Sequence, residues 1–99
     1  MDPLTFRAET RAWDGPAAWF FAHLPTDVAD DIADAVDSRP RTGFGSVRVE
    51  VTVGGSTWRT SLFPSKQAAT YLLPLKRSVR EAEGIHDGGT AEFTVRVLD

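Results

Sequence analysis

Hydrophobic and polar residues alternate along three segments of the chain, residues 4–13, 45–53 and 90–98. A period of two is typical of a β-strand that buries one face. One face of these segments carries Leu4, Phe6, Ala8, Thr10, Ala12, Val47, Val49, Val51, Val53, Ala91, Phe93, Val95 and Val97. The pattern therefore predicts three half-buried strands.

A fourth segment, residues 19–24, is apolar on both sides except at His23. Strands with this composition are usually covered on both faces, so we expect a central strand whose Trp19 fills the core. His23 is expected to be partly buried and hydrogen-bonded there. The residues Asp14-Gly15-Pro16 predict a turn before this strand.

Glycine and proline mark the limits of two further strands. Gly54-Gly55 predicts a tight hairpin, because glycine adopts the positive φ angles that such turns need. The return strand is expected at residues 57–63, with Pro64 as its end. Residues 71–75 predict a short apolar strand, and Pro74 within it favours an edge or a crossover position.

Two helices are predicted between the strands. Thr26 can cap the first helix, which is expected to run for about three turns. Its apolar stripe repeats every three to four residues and consists of Val28, Ala29, Ile32, Ala35 and Val36. Its solvent face is unusually acidic and carries Asp27, Asp30, Asp31, Asp34 and Asp37.

The second helix is predicted at residues 76–83, with Val79 and Ala82 facing inward. Gly84 follows it and is a natural C-terminal cap. Asp87-Gly88-Gly89 then predicts a turn before the last strand. Residues 39–43, Arg39-Pro40-Arg41-Thr42-Gly43, predict a loop after the first helix.

The two halves of the chain repeat one pattern weakly. Leu24-Pro25 and Leu73-Pro74 lie 49 residues apart, and each pair is followed by a helical segment, a glycine-containing turn and a strand. We therefore expect a mainly β fold, a six-stranded split β-barrel with two short α-helices and a pseudo-two-fold internal repeat. The length of 99 residues predicts one domain, residues 1–99.

Composition narrows the possible functions. The net charge of −3 argues against a general affinity for nucleic acids or anionic membranes, which favour basic surfaces. The chain contains no cysteine, so disulfides, thiolate metal sites and cysteine nucleophiles are excluded. Neither a secretory signal nor a membrane-spanning segment is recognisable, which favours a cytoplasmic location, and the excess of arginine and alanine hints at a GC-rich bacterial genome.

No catalytic or metal-binding motif stands out. His23 and His86 are far apart and lack a ligand spacing, so we expect no metal and no cofactor. Ser61, Ser65 and Ser78 lack the context of an activated nucleophile. The acidic helix face is interpreted as a solvated surface rather than as paired catalytic carboxylates. We therefore do not expect an enzyme.

A basic cluster is the best candidate for a binding surface. Lys76, Arg77 and Arg80 crowd one short helix, and Arg59 and Lys66 lie nearby if the strand before Pro64 sits beside it. Alternatively, the cations pair with acids such as those of the aspartate-rich helix, or are simply solvated, and we favour this interpretation. Arg39 and Arg41 form a second, smaller basic group.

One tryptophan completes the candidate surface. Trp58, next to Arg59 on the predicted hairpin, could help to form a pocket, although a core position is the better interpretation. The candidate binding surface consists of Trp58, Arg59, Lys76, Arg77 and Arg80.

The chain resembles a bacterial and archaeal split-barrel domain of unknown function that in some proteins precedes a YdeI/OmpD-associated domain. The likeness spans nearly the whole chain. It is carried by Val47-Arg48-Val49, Gly54-Gly55, Trp58-Arg59-Thr60-Ser61-Leu62-Phe63-Pro64, Tyr71-Leu72-Leu73-Pro74-Leu75-Lys76 and Val79-Arg80. The resemblance implies the fold and carries no known activity.

The second half is also similar to the swapped-hairpin DNA-binding domains of AbrB-type regulators and MazE-type antitoxins. The similar residues are Leu73-Pro74, Val79-Arg80-Glu81-Ala82, Gly84-Ile85 and the turn at Gly88. Those families usually have Gly-Asp at this turn, whereas Gly88-Gly89 stands here. Two chains build one barrel in those families, and the resemblance implies that one chain builds the equivalent here.

We expect a non-catalytic binding or interaction module with an unidentified ligand or protein partner, present as a monomer or weak homodimer. An AbrB-like nucleic-acid-binding regulator is the alternative, and a small enzyme is the second alternative. A regulator should expose its basic residues on one surface, and a ligand binder should have an apolar pocket near Trp58. An enzyme should place His23 within hydrogen-bond reach of a serine or a carboxylate, and no hypothesis involves a membrane.

Overall fold

Every alternating segment forms a strand in the computed structural model, which describes residues 2–12, 19–37 and 45–98. The elements in chain order are β1 (Leu4–Ala12), β2 (Phe20–His23), α1 (Thr26–Val36), β3 (Val47–Val53), β4 (Ser56–Ser65), β5 (Thr70–Pro74), α2 (Arg77–Glu83) and β6 (Thr90–Val97). The turn predicted at 14–16 and the loop at 39–43, with Arg39 and Arg41, lie outside the described residues.

The six strands form a closed barrel in the order β1-β2-β5-β4-β3-β6, and every neighbouring pair is antiparallel. Exchanging β1 with β4, β2 with β5 and β3 with β6 leaves this order unchanged. The topology therefore has the pseudo-two-fold symmetry that the repeat predicts. The mainly β, six-stranded barrel with two helices is confirmed and fits the description of a split barrel.

Two backbone hydrogen bonds show which residues of the two halves are equivalent. The Leu24 amide donates to the Tyr71 carbonyl at 3.2 Å, and the Leu75 amide donates to the Phe20 carbonyl at 2.8 Å. Leu24 and Leu75, like Phe20 and Tyr71, are 51 positions apart. The Leu-Pro pairs, which are 49 positions apart, are therefore offset by two residues from the structural equivalence.

The core is built from the faces that the alternation predicts. Its fully or almost fully buried residues include Val49, Val51, Leu62, Leu73, Phe93 and Val95 from the strands and Ile32 from α1. The apolar stripe of α1 is buried at Val28, Ala29, Ile32 and Val36, and its four aspartates and the C-cap Asp37 are exposed. From α2 only Val79 is buried, and the expectation for Ala82 is wrong because this short helix turns that side chain to solvent.

The expectation that Pro64 ends its strand is wrong. β4 continues through Pro64 to Ser65. Pro64 faces Tyr71 of β5, and the Tyr71 carbonyl accepts its hydrogen bond from the Leu24 amide, on the side of β5 away from β4. Pro64 thus stands where β5 does not require an N–H donor. β5 ends at Pro74 and pairs with β2 and with β4, so it is not an edge strand. Of the two positions considered for Pro74, the crossover is the observed one, because the chain passes from β5 through α2 to β6, which is not a neighbour of β5 in the barrel.

The helix limits depart from expectation at one end. Thr26 is the first helical residue of α1 and Pro25 is its N-cap, without a side-chain capping bond, so the prediction that Thr26 caps the helix is wrong. α2 ends as predicted at Gly84, whose φ of +65° is left-handed. The β3–β4 hairpin turns at Gly54, whose φ is +55°.

Thr10 ties the turn before β6 to β1. Its side chain is 1% exposed, and its hydroxyl donates to the His86 carbonyl at 2.8 Å. The Gly88 amide donates to the Thr10 carbonyl at 2.8 Å, and the Ala12 amide donates to Asp87 Oδ1 at 3.0 Å. Asp87, one position before Gly88, therefore supplies the carboxylate that fixes this turn.

Candidate ligand-binding groove

An open groove of about 550 Å³ lies where β2, β4 and β5 meet the start of α2. Its described lining consists of Trp19, Phe20, Trp58, Arg59, Thr60, Pro74, Leu75, Lys76, Arg77 and Arg80. All five residues of the candidate binding surface are in this set. Their role in binding stays a prediction.

Local backbone geometry explains why these side chains converge. In β4 the alternation turns Trp58 inward, where it is 9% exposed, and turns Arg59 outward. β5 ends at Pro74, and α2 starts three residues later at Arg77. Arg77 and Arg80 are three positions apart and share one side of the helix. The core position expected for Trp58 is therefore confirmed, and its ring also lines the groove.

Arg80 has two contacts at the groove. Its guanidinium lies 4.7 Å from the centre of the Phe20 ring, a cation–π arrangement. Its Nε donates to the Leu75 carbonyl at 3.3 Å. Neither contact is with an acid, so the positive charge of Arg80 is not compensated by these partners.

Arg77 and Arg59 have carboxylate partners. Arg77 Nε donates to Glu81 Oε1 at 2.8 Å, one helical turn away, and Arg59 Nε lies 3.6 Å from Glu50 Oε2. Glu50 also accepts a hydrogen bond from Arg96 at 3.1 Å. This hydrogen bond lowers the pKa of Glu50. Desolvation acts in the opposite direction, and the positive charges of Arg96 and Arg59 lower the pKa further.

The two lysines considered for the basic cluster differ in their position relative to the groove. Lys76 is exposed at the groove, and within the described residues it forms no ion pair. Lys66 lies in the β4–β5 turn and is not among the described lining residues, so the expectation that it joins the cluster is wrong. Arg77 pairs with an acid, as the favoured interpretation has it, but this acid is Glu81 of its own helix rather than an aspartate of α1.

Trp19 and His23 are not where the sequence places them. Trp19 is 53% exposed at the groove and stacks on Phe21, with ring centres 6.1 Å apart and an interplanar angle of 4°. His23 is also exposed, and within the described chain its side chain has no hydrogen bond. Both share the outer face of β2 with Phe21, since Phe20 and Ala22 take the buried face.

Sequence reasoning missed half of the groove lining: Trp19, Phe20, Thr60, Pro74 and Leu75. The apolar composition of residues 19–24 gave no signal for Trp19 and Phe20, because it does not distinguish the two faces of the strand. In the described parts of the chain, no group of three metal-ligating side chains comes together. No helix among the described residues is long and apolar enough to cross a membrane.

In the part of the chain that the structure describes, fold and groove together define a small closed-barrel domain with two helices and a basic, aromatic groove. A model of the family described as a domain of unknown function, DUF1905, matches residues 6–95. The chain belongs to this family, which confirms the resemblance to a split-barrel domain of unknown function. No curated protein matches the chain.

Proposed function

We propose that this protein is a non-catalytic binding module and that the groove between β4, β5 and α2 is its binding site. The observation that carries the proposal is the convergence of four cationic side chains on an apolar floor. Small-molecule sites are typically cavities of about 300–1,000 Å³ with apolar linings and a few placed polar groups. The groove, at about 550 Å³, is within this range.

Preorganisation of the groove supports a binding role. The Phe20 ring and the Leu75 carbonyl hold Arg80, Glu81 holds Arg77, and Glu50 holds Arg59. Side chains that are already ordered lose less conformational entropy when a ligand arrives. The contacts of the three arginines therefore reduce the cost of ordering them, whereas Lys76 has no such contact in the described chain.

Nucleic-acid binding of the AbrB type is the second candidate, because Arg59, Lys76, Arg77 and Arg80 reach one surface. Two features weigh against it. The protein carries a net charge of −3, and the four aspartates of α1 and the C-cap Asp37 are exposed. Any binding of DNA should then be weak and should fade as salt rises to physiological concentration.

The proposal extends to a cytoplasmic location. The chain has no cysteine, so its folding does not depend on disulfides and is compatible with a reducing compartment. Cell fractionation with an antibody to the native protein tests this part, and recovery outside the cytoplasm would contradict it.

A protein-observed NMR screen tests the binding function. The ¹⁵N-labelled protein is titrated with equal numbers of anionic, neutral and cationic fragments. We expect the largest shifts at the Trp58 indole N–H, the Arg59 amide and the amides of residues 75–80. Fragments that shift only residues elsewhere, or no fragment that binds, would contradict the proposal.

A matched pair of variants tests whether the groove is responsible. Trp19→Ala removes an aromatic ring that is 53% exposed at the groove, and Phe63→Ala removes one that is 44% exposed outside the described lining. We expect Trp19→Ala to weaken the fragment hits and Phe63→Ala to leave them unchanged. Equal effects of the two variants would contradict a site in the groove.

A further inference from the structure

The charge of the groove has one sign. Its described lining residues include four cations and no acid. Glu50 and Glu81 partly neutralise Arg59 and Arg77 from outside this lining. Lys76 has no ion pair in the described chain, and the partners of Arg80 are a carbonyl and an aromatic ring. The groove therefore keeps an excess of positive charge.

Two of the three arginines donate a hydrogen bond through Nε, Arg77 to Glu81 at 2.8 Å and Arg80 to the Leu75 carbonyl at 3.3 Å. The Nε of Arg59 forms a longer ion pair with Glu50 at 3.6 Å. A guanidinium has five N–H donors, and four of them are on its two terminal amino groups. A contact through Nε does not use the terminal amino groups, which are the ones that bind carboxylates and phosphates in pairs.

The apolar part of the groove includes exposed aromatic surface. Trp19 lines the groove and is half exposed, with its indole parallel to the ring of Phe21 outside the lining, while Pro74 and Trp58 contribute further apolar surface. Aromatic faces favour the stacking of another planar group. A planar ring can therefore occupy the apolar side while its charged substituent reaches the cations.

From these observations we infer that the ligand is a small organic anion with a planar apolar body, an aromatic carboxylate or an aromatic phosphate ester. This inference rests on the proposed binding function and specifies its ligand class. The cations contact the anionic group, and the aromatic residues contact the ring. The size of the groove favours a small molecule over an extended polymer.

Isothermal titration calorimetry with four probes tests the ligand class. The probes are 2-naphthoate, 2-naphthyl phosphate, the neutral 2-naphthamide and acetate, which has no ring. We expect both naphthyl anions to bind at least about tenfold more tightly than 2-naphthamide and acetate. The stronger of the two naphthyl anions distinguishes a carboxylate ligand from a phosphate ligand.

The two lysines of the chain provide a matched charge reversal. Lys76→Glu changes the exposed lysine of the groove, and Lys66→Glu makes the same change in the β4–β5 turn. We expect Lys76→Glu to weaken the naphthyl anions by about tenfold or more, and Lys66→Glu to leave their affinity unchanged. Circular dichroism checks that both variants stay folded.

The outcomes separate this inference from the proposed function. If 2-naphthamide binds as tightly as 2-naphthoate, or if Lys66→Glu acts like Lys76→Glu, the ligand class is wrong although the groove still binds. If acetate binds as tightly as 2-naphthoate, the planar body is wrong. If a ten-nucleotide single-stranded DNA outcompetes both naphthyl anions, the nucleic-acid alternative replaces the inference. If fragments of every charge leave the groove residues unshifted, the proposed function fails as well.

Discussion

The substitution Thr10→Val tests how β1 is joined to the turn before β6. The side chain is 1% exposed, and its hydroxyl donates to the carbonyls of His86 at 2.8 Å and of Gly89 at 3.3 Å. Valine keeps the branched shape and removes the donor. The His86 carbonyl keeps the Gly89 amide as a donor, and the Gly89 carbonyl keeps the Thr10 amide.

Because both carbonyls retain a backbone donor, the substitution removes one ordinary hydrogen bond and leaves no buried polar group without a partner. We therefore expect Thr10→Val to lower the free energy of unfolding by about 1 kcal/mol. In a domain of this size that corresponds to a fall in Tm of about 4–8 °C. Urea denaturation, with an unchanged m value, measures the free energy directly.

A local readout separates the hydrogen bond from general packing. The Gly88 amide donates to the Thr10 carbonyl at 2.8 Å, so native-state hydrogen exchange of Gly88 reports on the turn. Thr10→Val should speed this exchange, whereas the control Thr10→Ser keeps the hydroxyl and should leave it near that of the wild type. Unchanged stability together with unchanged Gly88 exchange in Thr10→Val would refute the reasoning.

Two further predictions concern charge and backbone conformation. Because Arg96 and Arg59 hold the folded-state pKa of Glu50 below 4.5, the ionised carboxylate stabilises the fold above that pH, and this contribution is lost as the pH falls through the folded pKa. In Glu50→Gln, the free energy of unfolding measured with urea should therefore fall less between pH 7 and about pH 3 than it does in the wild type. An equal fall in both proteins would contradict this prediction. Gly84→Ala should cost about 1 kcal/mol in the same assay, because φ is +65° there, whereas Gly55→Ala, which has open space and no positive φ, should be neutral within about 0.5 kcal/mol. Equal effects of the two alanine variants would show that the left-handed conformation of Gly84 is not the cause.

The strands and helices with one buried face were predictable from the sequence. In β3 every second residue is a valine, and only one orientation buries all four of them. In α1 the stripe through Val28, Ile32 and Val36 leaves the aspartates on the opposite side. Where polar and apolar residues separate cleanly, local sequence determines which face meets the core.

β2 could not be oriented in this way, because both of its faces are apolar. Pairing with the neighbouring strands decides which of its residues face the core. Ala22 of β2 pairs with Thr10 of β1 and with Leu73 of β5. These tertiary contacts bury Phe20 and expose Trp19. The prediction that Trp19 fills the core failed for this reason.

The groove was predictable only in part. The crowding of Lys76, Arg77 and Arg80 on α2 is a local property and was visible in the sequence. The approach of Arg59 to these cations depends on the pairing of β4 with β5, which brings β4 beside the start of α2. Phe20 reaches the same place from the first half of the chain, through the pairing of β2 with β5.

The most direct test of the binding function is a crystal structure of the protein with the strongest fragment of the NMR screen. A ligand that lies in the groove, in contact with Arg80 and Trp58, is the predicted result. A ligand that binds at full occupancy on the outer face beside Phe63 or His23, with the groove empty, would contradict the assignment of this groove as the binding site.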